Sequence, residues 1–256
     1  MFGPGGVLFT SRWPVNQLGE TKPGSTDEDK VIDMAALGIA GSHAALNFVP
    51  VGFSGAGHVK MVSWSGGEWY SGTLSPDGFG TYDLTGVSQI DLDTSTPAVE
   101  GLPGGPEGFT DVSGLNPAFG ANSMLLSEYS AGKMSVYSMD SNGNPILSSR
   151  HSFLDGLDGA EGATLDPLTG DFLFSTFGGG DRLVLVSGFT QSPTHPATRP
   201  RAFDLGPDAR GSFGCRADGP APVFWPRRLG PRASFLRLSV VTSEPLAPVA
   251  GIRMTG

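Results

Sequence analysis

The chain has one cysteine, four lysines and no long apolar run among its 256 residues. The lone Cys215 excludes an internal disulfide framework and every metal motif built from several cysteines. No window approaches the roughly eighteen apolar residues of a transmembrane helix, so no membrane span is predicted. The opening MFGPGGVLFTSRW lacks the basic start and apolar stretch of a signal peptide. It begins inside what resembles a strand unit, which suggests that Met1 is not the natural start.

Glycine and proline, in contrast, are abundant. The chain has 39 glycines and 21 prolines, which are poor helix formers and good turn formers. Many short strands joined by tight turns are therefore predicted. The net charge of −9 argues against nucleic acid or an anionic membrane as a partner, because both require a basic face.

The balance of charged residues and the proline content both change abruptly near Phe189. Residues 1–189 carry 7 basic and 21 acidic residues, whereas residues 190–256 carry 9 arginines, no lysine and 4 acids. The second segment also holds 10 of the 21 prolines. We therefore divide the chain into a domain at 1–189 and a poorly ordered Pro/Arg-rich tail at 190–256. A frameshifted tail and a basic binding arm are the alternatives, and only Ala233 to Ser243 within it resembles a strand.

Residues 1–189 consist of a diverged repeat with units starting near Gly3, Gly41, Gly105 and Gly159. In the last unit, ATLD, FLFSTF and RLVLVSGF are predicted strands separated by the turns PLTGD and GGGD. The preceding unit adds a fourth strand, PILSSRHSF. Four strands per unit predict an all-β, β-propeller-like array of about four blades, with an incomplete or strained ring. A β-sandwich is the alternative fold.

The dipeptide Glu-Gly recurs at the head of two units, as Glu107-Gly108 and Glu161-Gly162. Its glycines are predicted to permit close backbone approach at the start of the innermost strands. If the two glutamates occupy equivalent positions, both point toward the central channel. Carboxylates there could bind a hard cation such as Ca²⁺, which prefers oxygen ligands. The alternative is that each glutamate binds backbone N–H groups or a neighbouring blade.

Several stretches resemble one family: GPGGVLF, KPGSTDEDKVID, ALNFVPVGF, GPEGF…SEYSAGKMSVYSMDSNGNPI and GAEGATLDPLTGDFLFSTFGGGDRLVLV. They are similar to secreted, propeller-like bacterial proteins that end in a PEP-CTERM sorting segment. The resemblance implies an extracellular or cell-surface location. It stops at Phe189, where no sorting motif follows, and this departure favours the frameshift interpretation of the tail. The comparison with the family also implies that upstream blades and an export signal are missing from this chain. More remotely, the Glu-Gly strand starts resemble NHL-type and gluconolactonase-like propellers, whose enzymes place a metal-binding glutamate at a similar strand start.

Other motifs are predicted to be structural. The stretch DSNGN from Asp140 lacks the later glycine and glutamate of a calcium loop and is predicted to be a turn. The four histidines are far apart in sequence, and the strand aromatics Trp64, Trp69, Tyr70, Tyr129 and Tyr137 are predicted to pack between blades rather than to form a sugar-stacking platform.

The sequence thus favours a non-catalytic extracellular binding or scaffold module for a small-molecule, glycan or protein ligand. A metal-dependent, lactonase-like hydrolase using Glu107 and Glu161 is the alternative. A third hypothesis is a non-functional, truncated product of a longer gene.

Overall fold

The computed structural model describes residues 1–41, 43–116, 118–178 and 181–189, and the backbone of a strand at 237–242. In this part of the chain, fifteen strands form four antiparallel sheets, here called blades. Within each blade, strands that follow one another in sequence are hydrogen-bonded neighbours. Three short 3-10 helices connect strands: Pro4–Gly6, Ala35–Leu37 and Leu147–Ser149.

The first two blades cover the first half of the domain. Blade 1 contains β1 (Leu8–Arg12), β2 (Gln17–Thr21) and β3 (Lys30–Asp33). Blade 2 contains β4 (His43–Phe48), β5 (His58–Ser63), β6 (Trp69–Pro76) and β7 (Tyr82–Ile90).

The other two blades cover the second half. Blade 3 contains β8 (Pro106–Val112), β9 (Ser123–Glu128), β10 (Lys133–Ser138) and β11 (His151–Asp155). Blade 4 contains β12 (Ala160–Leu165), β13 (Phe172–Thr176), β14 (Arg182–Ser187) and β15 (Arg237–Thr242).

The first strands of the blades lie side by side at the centre. Strand β4 contacts β1 on one side and β8 on the other, and β8 contacts β12. Meander sheets stacked around adjoining first strands form a propeller-like array, so the predicted fold class is confirmed. The predicted unit starts at Gly41, Gly105 and Gly159 lie one or two residues before β4, β8 and β12.

Packing between blades follows from the period-two alternation of side chains along each strand. In β9, Met124 and Leu126 belong to a core with blade 2, whereas Leu125 between them belongs to a core with blade 4. Strands in the middle of the array are therefore apolar on both faces. A third core joins blades 1 and 2 through residues such as Phe9 and Met61. Among the described side chains, no fourth core joins blade 4 to blade 1, so these four blades form an open array.

Two strand predictions in the second half had different outcomes. The predicted strand PILSSRHSF is wrong in its first part, because a 3-10 turn at Leu147–Ser149 precedes β11. The Ser149 hydroxyl accepts a hydrogen bond from Ser138 N (2.8 Å) and donates to Ile146 O (2.6 Å), which replaces the strand ladder. The predicted strand near Ala233 to Ser243 is confirmed, since β15 pairs with β14. The prediction of a poorly ordered tail otherwise lies outside the described residues.

Candidate functional site

A β-bulge interrupts each of β4, β8 and β12 near its start. The pairing register shifts between His43 and Ala45 in β4, and between Pro106 and Gly108 in β8. In β12 it shifts between Ala160 and Ala163. Glu107 and Glu161 are therefore both bulge residues at equivalent positions, and Ala44 is their counterpart in blade 2. Bulges re-aim side chains and are common beside binding sites.

The glycine after Glu107 brings two inner strands into backbone contact. A Cβ atom at Gly108 would lie 2.2 Å from the backbone oxygen of Glu161 and 3.0 Å from Gly162 Cα. No side chain fits in that space. The predicted close backbone approach is thus confirmed for Gly108, and it explains why a glycine follows the glutamate there.

The inner strands line a central cavity of about 340 Å³ that is open to solvent. This volume lies at the lower end of the range of ligand pockets. Blade 1 contributes Leu8 to Ser11, and β4 contributes Ala44 to Leu46. Glu107, Gly108 and Phe109 of β8 and Gly162 and Ala163 of β12 complete most of the lining. Glu107 is the ionisable side chain among these residues.

Burial raises the pKa values of both glutamates. The pKa of Glu107 is raised to about 7, first by burial and then by the neighbouring Glu161 charge. The pKa of Glu161 is also raised, by burial and then by Asp181. Neither glutamate forms an ion pair with any residue that the structure describes. The bulges therefore hold two neighbouring carboxyl groups, neither of which has an ion pair among the described residues.

Metal ligation by these carboxylates stays a prediction. Within residues 1–189, apart from the few positions not described, no three His, Cys, Asp or Glu side chains come together as possible metal ligands. The DSNGN stretch is a turn, as predicted. Both Asn142 N and Asn144 N donate to Asp140 Oδ1, at 2.7 and 2.8 Å.

One histidine has an environment that sequence reasoning missed. His43 begins β4 beside the bulge residue Ala44 and is only 1% exposed. Neither ring nitrogen forms a hydrogen bond of ordinary geometry with a described residue. Burial lowers the pKa of His43 to about 4, and a weaker interaction with the backbone of Ala45 opposes that shift. His43 is therefore neutral at physiological pH. Its burial comes from interblade packing, which no local pattern predicts.

A second polar cluster joins blades 2 and 3 near the other ends of β4 and β8. Lys60, 3% exposed, donates to Asn144 Oδ1 at 2.8 Å, and Asn47 donates to Asp111 Oδ2 at 3.0 Å. Burial lowers the pKa of Lys60 and raises that of Asp111 to about 7, while their mutual attraction opposes both shifts. None of these side chains lines the cavity. The cluster connects two blades.

The aromatic residues separate into two groups. Trp69, Tyr70 and Tyr137 are at most 2% exposed, which confirms the predicted packing between blades. Trp64 and Tyr129 are only partly buried and lie in turns after β5 and β9. For these two the packing prediction holds only in part.

We expect Glu107→Gln to stabilise the fold at pH 8 and not at pH 4. The folded-state pKa of about 7 exceeds the ordinary value of 4.5, so the wild-type fold loses stability as pH rises between these values. Partial solvent contact reduces the effect to about 1–2 kcal/mol. Urea unfolding at both pH values measures it, with the exposed Asp27→Asn as control. Equal stability of wild type and variant at pH 8 would contradict the desolvation of Glu107.

Comparison with known proteins identifies no family. No protein family matches the sequence, and no curated protein matches it. A similar solved structure is that of a candidate 6-phosphogluconolactonase from Bacteroides uniformis, at 14% identity and a TM-score of 0.43. The match covers 75% of this chain and 52% of that protein, so this chain spans about half of its length. So low a TM-score supports no argument about fold or activity. No helix in the described part of the chain is long and apolar enough to span a bilayer.

Proposed function

We propose that the protein is a non-catalytic binding module whose ligand enters the central cavity between the inner strands. The observation that carries this proposal is the half-buried Glu107, which lines a cavity of about 340 Å³ and has no ion pair among the described residues. A carboxyl group held out of water without a partner is costly, and a ligand that supplies hydrogen bonds or positive charge removes that cost. Three coupled bulges fix the backbone around it.

An extracellular or cell-surface location is part of this proposal. It is supported by the resemblance of residues 1–189 to secreted propeller-like proteins with a PEP-CTERM segment. The acidic balance of that region is compatible with such a location but does not require it. Fractionation of the native host with an antibody against this chain tests the location directly.

A binding assay that compares the wild type with a variant whose cavity is filled by a larger side chain tests the proposed binding function. Melting temperatures of the full chain are measured with CaCl₂, cellohexaose and a dodecapeptide of alternating lysine and serine. We expect at least one probe to raise the wild-type Tm by several degrees, since ligands of the native state stabilise it by mass action. Ala44→Leu should abolish that shift, because residue 44 is the bulge residue that lines the cavity in blade 2.

The matched control is Ala118→Leu, an exposed alanine in the loop between β8 and β9 and outside the cavity lining. It should keep the wild-type response. If no probe shifts the Tm, or if Ala44→Leu responds like wild type, the cavity is not the binding site.

A metal-dependent, lactonase-like hydrolase is the second candidate. The observation in its favour is the coupled pair Glu107 and Glu161, equivalent in position and both with raised pKa values. The hypothesis requires further oxygen or nitrogen ligands around the pair, and the described residues supply no group of three. The CaCl₂ measurement also tests this candidate, since calcium must stabilise the wild type and not Glu107→Gln/Glu161→Gln.

A further inference from the structure

One end of the blade array carries an aromatic side chain from each blade. The end is formed by the turns after β1, β5, β9 and β13 and by the starts of β4, β8 and β12, and we call it the hairpin face. Each of the four turns opens with an aromatic residue, and we call the set the aromatic row: Trp13, Trp64, Tyr129 and Phe177.

Three rings of the aromatic row adjoin one another. The ring centroids of Trp13 and Trp64 are 6.3 Å apart, and those of Trp64 and Tyr129 are also 6.3 Å apart. The turn that carries Phe177 lies beside Tyr129, because a Cβ atom at Gly159 would lie 2.9 Å from Tyr129 Cε2 and 2.0 Å from the backbone oxygen of Phe177. The four turns therefore follow one another from blade 1 to blade 4.

Both ends of the aromatic row are open to solvent. Trp13 is 62% exposed and Phe177 is 59% exposed, and neither belongs to an interblade core. A run of adjoining aromatic side chains with exposed ends is a contiguous apolar patch, which is a feature of interaction sites. The row is therefore better explained by binding than by packing.

The carboxyl groups of the bulges lie beside this row. Trp64 packs over Gly105, with its Nε1 2.9 Å from the Cβ position of that glycine, and Glu107 follows two residues later. In the same way Tyr129 packs over Gly159, two residues before Glu161. In each Gly-x-Glu-Gly repeat, the first glycine therefore contacts an aromatic ring of the preceding blade, and the glutamate places a carboxyl group two residues later.

The charge at the hairpin face is predominantly negative. Three cations that reach it are already paired: Arg12 with Glu28 at 3.2 Å, Lys133 with Asp155 at 3.6 Å and Arg150 with Glu128 at 2.5 Å. Among the described residues, Glu107, Glu161 and Asp181 have no ion pair. Two cations nearby likewise have none: Arg182 and the N-terminal ammonium group of Met1, which lines the cavity and donates to Phe9 O. Unpaired acids beside exposed rings favour a cationic ligand.

Ring geometry distinguishes a peptide from a glycan. Adjacent rings are inclined at 68° and 81°, so they present no continuous flat platform for stacked sugars. A cation needs only one ring face within about 6 Å. In an extended peptide, side chains on one face recur about every 6.6 Å, close to the spacing of the rings.

We infer that the hairpin face binds an extended basic peptide segment, with alternate Lys or Arg side chains over the aromatic row and beside Glu107 and Glu161. This inference rests on the proposed function and specifies its ligand class. The peptide would cross from blade 1 to blade 4 along the turns. Its attraction to the carboxylates should weaken as salt is added.

Isothermal titration of the full chain with the lysine–serine dodecapeptide tests the inference. We expect Trp13→Ala to weaken binding about 3- to 5-fold, the effect of losing one exposed cation–π contact. Trp13→Phe should restore part of the affinity. Glu107→Gln/Glu161→Gln should weaken binding at least as much and reduce its salt dependence. Phe79→Ala is the matched control, because Phe79 is 82% exposed and lies outside the aromatic row.

The outcomes separate this inference from the proposed function. If cellohexaose binds and the basic peptide does not, the peptide inference is wrong and the binding module stands. Peptide binding that is unchanged in Trp13→Ala and in the double glutamine variant also overturns the inference. If none of the three probes binds, both proposals fail. A glutamate–serine dodecapeptide that binds as well as the lysine peptide would contradict the charge argument.

Discussion

Replacing Arg150 by methionine should lower the free energy of unfolding by about 3 kcal/mol. Arg150 holds the carboxylate of Glu128 with two hydrogen bonds, of 2.8 Å from Nε and 2.5 Å from the terminal nitrogen. Glu128 is fully buried, and its other hydrogen bond comes from Tyr137 OH at 3.1 Å. Removing one partner of a buried pair leaves an uncompensated charge. Because the Arg150 side chain is 34% exposed, the expected loss is at the lower end of the range for breaking a buried ion pair.

Urea unfolding of the wild type and of Arg150→Met at pH 8 measures the loss. The control in the same blade is Lys133→Met, which removes a 3.6 Å pair with Asp155 that is partly exposed. That pair should contribute under about 1 kcal/mol. A similar small loss for Arg150→Met would contradict the buried-charge argument.

Gly108→Ala should destabilise the fold by about 3 kcal/mol. The added Cβ would lie 2.2 Å from the backbone oxygen of Glu161, so β8 and β12 must separate. Backbone atoms of two packed strands cannot move aside as the end of a flexible side chain can. The expected destabilisation is therefore at the upper end of the range for overpacked cores. Because Gly108 does not have a positive φ, the loss measures this contact rather than backbone strain.

Gly41→Ala is the matched control for the close approach. Gly41 precedes β4 as Gly105 precedes β8, but no heavy atom lies within 4 Å of its Cβ position and its φ is not positive. Alanine there should be neutral or stabilise the fold by a few tenths of a kcal/mol, because it restricts the unfolded chain. Thermal melts of the two variants compare them directly. Equal effects would show that the inner strands can separate without cost.

The recurrence of turns and strands was readable from the sequence because both depend on neighbouring residues. Short runs rich in apolar residues identified β9, β10, β13 and β14, and glycine-rich turns marked the hairpins between them. The error at PILSSRHSF arose because a hydrogen bond from Ser138 to Ser149 joins residues that local patterning treats separately. Strand β15 was predicted from local composition, but its pairing with β14 spans a long stretch of sequence.

Part of the candidate site was also visible in the sequence. The repeated Glu-Gly indicated equivalent glutamates and a close backbone approach at Gly108, and the structure has both features. The burial of His43 and the pairing of Arg150 with Glu128 gave no signal, since each depends on residues brought together by folding. The aromatic row was misjudged in part, because an aromatic residue after a strand fits either a core or a surface.

The sequence by itself therefore determined the blades: their strands, their turns and the glycines that let inner strands meet. The period-two alternation of side chains and the conformational preferences of turn residues act over a few neighbouring residues, so the local sequence is enough to predict them. Only the tertiary structure decided which faces remain open and what each carboxyl group lies beside. It placed the rings of three separate turns in contact and left Glu107 and Glu161 without an ion pair among the residues that the structure describes. Burial and electrostatic coupling depend on the distances between blades, and those distances exist only after the blades have packed.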